Sequence, residues 1–181
     1  MNETFKIQTA SEGDEAMVQF GPSDPETGLS LSIPRRLTRK VNYPALELQL
    51  FLSCTFSGER LEIEKMTIEA KGSYVASRDL TQLALPQVMY AIVSGAVPEA
   101  KVLNRLVDSD KLDKPEGPSF LATVYWFEHA SWGAPRARIM EYMGWSRANA
   151  NFHLKKISRN FPLPGARSVT RANSKRDSDN R

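Results

Sequence analysis

The sequence predicts an α+β fold: a small N-terminal unit of β-hairpin and helices, followed by a module of three short helices. Two patterns carry this reading. Residues 45–56 alternate apolar and polar side chains, which only a strand converts into one apolar face, whereas residues 119–159 space their apolar residues three and four apart between helix-starting and helix-stopping residues. The chain has 181 residues, 41% of them hydrophobic and 25% charged, which suits a globular protein with room for two small units.

Residues 1–16 are polar and expected to be flexible, apart from a short strand at Phe5–Gln8. Met17–Phe20 and Leu29–Ile33 are short strands flanking a turn-rich Gly-Pro-Ser-Asp-Pro-Glu-Thr-Gly run. Arg35, Arg36, Arg39 and Lys40 then read as a basic cluster in a loop, either solvated or able to reach a phosphate. From Ala45 to Phe56, Leu46, Leu48, Leu50, Leu52, Cys54 and Phe56 share one face. Ser57–Arg60 turns the chain, and Leu61–Ala70 returns with an apolar phase that shifts from Leu61 and Ile63 to Met66 and Ile68, as a bulge near Lys65 requires.

A helical pattern follows, with Ser77 as a cap ahead of Leu80, Leu83 and Ala84; Pro86 opens Gln87–Ser94, and Pro98 opens a short helix through Val107. These helices are expected to cover the apolar face of the hairpin, giving a 17–107 domain. Residues 108–118, charged and broken by two prolines, read as a linker.

In the 119–161 module, Ser119 is placed as the cap of Phe120–Ala130, Pro135 opens Arg136–Met143, Gly144 stops it, and Ser146 caps Arg147–Arg159. Ala150, Leu154 and Ile157 fall within roughly 60° of one another on that last helix and should face inward. Ala148, Asn151, Phe152, Lys155 and Arg159 face outward, with Arg147 and Asn149 beside them. Amides, bases and small or apolar groups without acids suit a DNA major groove, where Asn can bond adenine, Arg guanine, and Ala or Phe a thymine methyl. Arg136, Arg138, Lys156 and Arg159 would hold phosphates, with backbone donors at Ser146.

The run Ile139-Met-Glu-Tyr-Met-Gly144-Trp-Ser146-Arg147-Ala-Asn-Ala150-Asn-Phe-His153-Leu154-Lys-Lys-Ile157 resembles actinobacterial and actinophage helix-turn-helix proteins, which share a Gly-Val-Ser-Arg-x-x-Ala turn. The resemblance is strongest over residues 119–160, with a weaker echo at 61–85. It implies that Gly144 is the turn glycine, that Ser146-Arg147 starts a recognition helix, and that Ala150 packs on the preceding helix. His153 stands where that pattern has an apolar residue. The implied function is sequence-specific binding of double-stranded DNA in transcription regulation. A homodimer would suit half-site recognition, and residues 17–107 are expected to sense a protein partner or to mediate self-association. The alternative is a protein-interaction adaptor or a phage assembly component, similar to a small terminase.

Charge distribution points the same way. The net charge is +3 overall, but residues 132–181 hold 11 Lys/Arg against 3 acids, whereas residues 1–131 hold 13 against 18. Residues 162–181 read as a disordered basic tail that adds nonspecific affinity or is passive. Trp126 and Trp145 are expected in the core rather than as base-stacking platforms. His129 and His153 are too few and too poorly partnered for a metal site, no cofactor is expected, and the sequence lacks the phosphate-loop, Cys-x-x-Cys, His-Glu-x-x-His and Gly-x-Ser-x-Gly patterns of common enzymes. The single Cys54, the lack of an export signal and the absence of any long apolar run lead to the expectation of a cytoplasmic, non-enzymatic protein with no membrane span.

Overall fold

A computed structural model describes residues 5–11, 16–70, 72, 75, 80–108 and 115–165. It is mixed α+β. Strands β1 (Lys6–Ser11), β4 (Arg36–Tyr43), β5 (Leu48–Phe56) and β6 (Leu61–Ala70) form an antiparallel sheet in the order β1-β4-β5-β6, while β2 (Met17–Gln19) and β3 (Ser32–Pro34) pair as a separate ribbon. Helices α1 (Leu85–Ala96), α2 (Ala100–Val107), α3 (Pro118–Ala130), α4 (Pro135–Met143) and α5 (Arg147–Ile157) follow.

Strand β5 carries the expected alternation into the core: Leu48, Leu50, Leu52, Cys54 and Phe56 are all buried. Its start differs from the expectation, because Pro44–Leu46 forms a 3-10 turn closed by Glu47 in the left-handed region, so Ala45 and Leu46 precede the strand. The expected bulge is present. Ser53 pairs with Lys65 but Cys54 pairs with Ile63, leaving Glu64 as the extra residue. Burial pushes the Cys54 thiol up to about 11, so this sulfur is a core group rather than a nucleophile.

The basic cluster is not a loop. Arg36, Arg39 and Lys40 belong to β4, whose Leu37, Val41 and Tyr43 enter the core while Thr38, Lys40 and Asn42 take the other face. Strand β3 begins later than expected; Leu29 instead bridges Asp24 across a tight turn, and Phe20 N–H bonds Leu31 at 3.0 Å. Helix α1 starts at Leu85, one residue before the Pro86 that the sequence places at its opening, and runs one residue past Gly95. Ser77 and the stretches 109–114 and 166–181 lie outside the described residues.

Helix α3 sits at the centre. Phe120, Leu121, Ala122, Thr123, Val124, Phe127, Glu128 and Ala130 are buried, so nearly every side of it is covered. One continuous cluster of buried side chains joins it to β4, β5, α1 and α5. Among the described residues no helix is long and apolar enough to cross a membrane.

Candidate nucleic-acid interface

The candidate surface is assembled by α3, α4 and α5. Pro135 occupies the first turn of α4, where its missing N–H costs nothing. The helix ends on Gly144 at φ 64°, with Gly144 N–H bonded to Glu141 and Trp145 N–H to Met140 at 3.0 Å. A left-handed residue closed by those two bonds is what glycine permits without a Cβ penalty. Ser146 then caps α5, its Oγ accepting Asn149 N–H at 3.3 Å.

The inward stripe of α5 is the expected one, with Ala150, Leu154 and Ile157 buried. Arg147, Ala148, Asn149, Asn151, Phe152, Lys155, Lys156 and Arg159 are all exposed, and Phe152 retains 68% of its surface. At 100° per residue Arg147, Asn151, Lys155, Ala148 and Phe152 occupy one arc, whereas Asn149 and Lys156 lie at its flank. His153, which departs from the apolar pattern, is half-buried and stacks on Trp145 with ring centres 4.3 Å apart. Its ring thus supplies the packing that an aliphatic side chain would.

Two clefts border α5. One, of about 320 Å³, brings together Arg136 from the start of α4 and Arg147 from the start of α5 over Ala134, Ala137 and Met140. The other, of about 280 Å³, lies behind the helix between Pro118, Leu121, Met143, Trp145 and Lys156. Lys156 therefore borders this rear cleft rather than the Arg136–Arg147 cleft.

Arg138 stands apart from the other predicted phosphate ligands. It is hydrogen-bonded to Asp108, lies 3.3 Å from Glu141 and 3.7 Å from Glu128, and is only 23% exposed. Its charge is already balanced, so it fixes α4 to the end of α2 and to α3 instead of facing outward. Glu128 is the buried member of this network. Burial raises its carboxyl above the ordinary range, against the opposing charge of Arg138 and a hydrogen bond from Tyr90. No spacing rule links residues 90, 108, 128 and 138, and so the sequence could not reveal them as a group.

The cap of α3 also differs from expectation. Gly117 precedes the helix without a side-chain cap, and Ser119 Oγ instead donates to Asp24 Oδ1 at 2.5 Å. Asp24 is buried, and its Oδ2 accepts from Thr27 N–H at 3.0 Å. At the other end of α3, Trp132 adopts φ 63° and donates Nε1–H to Leu61 at 2.7 Å. Trp126 and Trp145 are half-buried against the core, and Trp126 bonds Pro162 at 2.9 Å. Among the described residues no group of His, Cys, Asp and Glu could hold a metal ion.

Comparison with family profiles, with curated proteins and with solved structures gives no match. The reading of this surface rests on its own geometry and chemistry.

Proposed function

We propose that this chain binds double-stranded DNA sequence-specifically and regulates transcription, with α4, the Gly144 turn and α5 acting as a helix-turn-helix. The observation that carries the reading is the outward arc of α5: it presents Arg147, Asn151, Phe152 and Lys155 with no acid on the helix, and no described acid pairs with Arg136, Arg147, Lys155 or Arg159. A solvated helix face ordinarily balances its bases with acids. Here Arg147 and Asn151 read base edges, Phe152 meets a thymine methyl, and Arg136 shares its cleft with Arg147 to hold a phosphate. Asn149, Ser146, Lys156 and Arg159 support from the flanks. A homodimer would present two such helices to a palindromic site, and light scattering that finds only monomer removes that part.

The test is selection from a random duplex pool at about 150 mM salt, a strength at which charge alone binds weakly. One enriched motif is expected, and Asn151→Ala should weaken it by about 1–3 kcal/mol while relaxing one base position. A second reading is favoured by Phe152, since an apolar side chain that exposed also suits a groove on a protein partner. Under that adaptor reading the pool enriches nothing, and Phe152→Ala abolishes capture of one protein.

A further inference from the structure

We propose that the DNA contact continues beyond α5 onto the end of the four-stranded sheet, where Arg35, Arg36 and Arg60 hold backbone phosphates flanking the base-read segment. This rests on the DNA-binding reading above and extends its footprint. A chain of contacts leads from one surface to the other. Arg147 and Arg136 line one cleft. Four residues before Arg136, Trp132 is anchored to Leu61 by its indole N–H, and the Arg60 guanidinium lies over its ring at 4.2 Å. Leu61 pairs with Phe56, whose N–H bonds Arg35 at 2.8 Å, and Arg36 pairs with Thr55 beside it. Adjacent strands are about 5 Å apart, so Arg35 and Arg36 sit roughly 10 Å from the strand that Trp132 grips.

The side chains are suited to the role. Arg35 and Arg36 are exposed, and neither pairs with a described acid. Arg60 has a buried Nε with no hydrogen-bond partner among the described residues, and its guanidinium is positioned by stacking on Trp132. A guanidinium fixed in this way can meet a phosphate with little further loss of freedom. Two exposed acids, Glu59 and Glu62, oppose these cations, and five arginines from Arg35 to Arg147 still leave the surface positive. A duplex carries one charge per about 1.7 Å of axis, so a positive surface extending past the recognition helix finds phosphates within reach.

The experiment is anisotropy of the full-length chain with fluorescein-labelled duplexes of 12 and 30 base pairs, titrated from 50 to 200 mM KCl. Arg35→Ala/Arg36→Ala should weaken the long duplex about tenfold, lower its salt slope by about 2, and leave the short duplex nearly unchanged. Glu59→Gln, which removes an opposing acid, should tighten the long duplex severalfold, a gain that misfolding cannot imitate. Wild-type binding with either variant indistinguishable from it on the long duplex overturns this proposal and leaves α5 as the whole contact. Failure of the wild-type chain to bind either duplex overturns the DNA-binding reading itself.

Discussion

Replacing Arg138 by Met tests whether α4 is fixed by a buried charge pair. Arg138→Met keeps the aliphatic volume but removes the one cation that faces Glu128 among the described residues; Glu128 is 7% exposed and, among those residues, keeps the long 3.4 Å bond from Tyr90. Breaking a buried pair by removing one partner costs about 3–5 kcal/mol; the 3.7 Å separation and the 23% exposure of Arg138 reduce that, and about 2 kcal/mol is expected. The contacts to Asp108 and Glu141 add little, since those acids are 60% and 74% exposed. The loss must depend on pH. Burial raises the Glu128 carboxyl in the folded state, so the cost of its charge is absent below the unfolded value near 4.5 and grows as pH rises through the folded value. Urea unfolding at pH 5 and pH 8 should therefore show the larger penalty at pH 8, and Glu128→Gln in the Arg138→Met background should recover most of it. Equal penalties at both pH values, or no recovery in the double variant, would refute this account of Glu128.

Three further outcomes follow from the same contacts. Asp24→Ala removes the acceptor of Ser119 and Thr27 and should cost about 2 kcal/mol. Burial opposes the Asp24 charge but its hydrogen bonds prevail and lower its carboxyl, so its contribution is present above 3.8 and is lost as pH falls through the folded value; thermal melts from pH 6 to 3 should fall more steeply for wild type than for Asp24→Ala. Gly133→Ala places a methyl inside the Glu128 carboxylate and 3.1 Å from the Glu128 carbonyl, and about 1–3 kcal/mol should be lost in urea unfolding. A fragment covering residues 117–165 should show helical circular dichroism without a cooperative melt, because it lacks Asp24, Tyr90 and Leu61.

The legible parts of the chain are those in which local chemistry and burial agree. Residues 48–56 alternate because one face meets the core, and Gly144 and Ser146 mark the ends of α4 and α5 because a left-handed stop and a side-chain cap are local requirements. The arc of α5 follows from period alone, and His153 broke the pattern only because its partner, Trp145, lies eight residues away. Strand β4 was hidden by composition: four cations between residues 35 and 40 outweigh Leu37, Val41 and Tyr43, whose spacing is the true signal. Ser119 shows the complementary difficulty. It is a natural capping residue beside a helix start, but Pro118 already fills the first turn and a buried carboxylate 95 residues earlier takes the hydroxyl. The role of Arg138 is hidden from the sequence for the same reason, since only tertiary structure brings Asp108 and Glu128 to it.

The position of α3 explains why the N-terminal residues matter to a surface built from α4 and α5. Its first turn is held by Asp24 through Ser119, its middle by the Thr123 hydroxyl on the Pro22 carbonyl at 3.1 Å, and its far end by Trp132 on Leu61. Trp132 holds a left-handed backbone that is costly for an aromatic residue and persists only where the surroundings fix it. The residue after it, Gly133, packs against the Glu128 carboxylate, leaving no room for a Cβ. The α3–α4 turn is therefore constrained from the sheet on one side and from the buried acid on the other. Arg138, three residues into α4 after Pro135, then sets the direction in which that helix leaves. Since α4 and α5 share only the short Gly144–Ser146 connection, the bearing of Arg136 and Arg147 is determined by contacts that originate at Asp24, Leu61 and Asp108, outside the three helices that carry them.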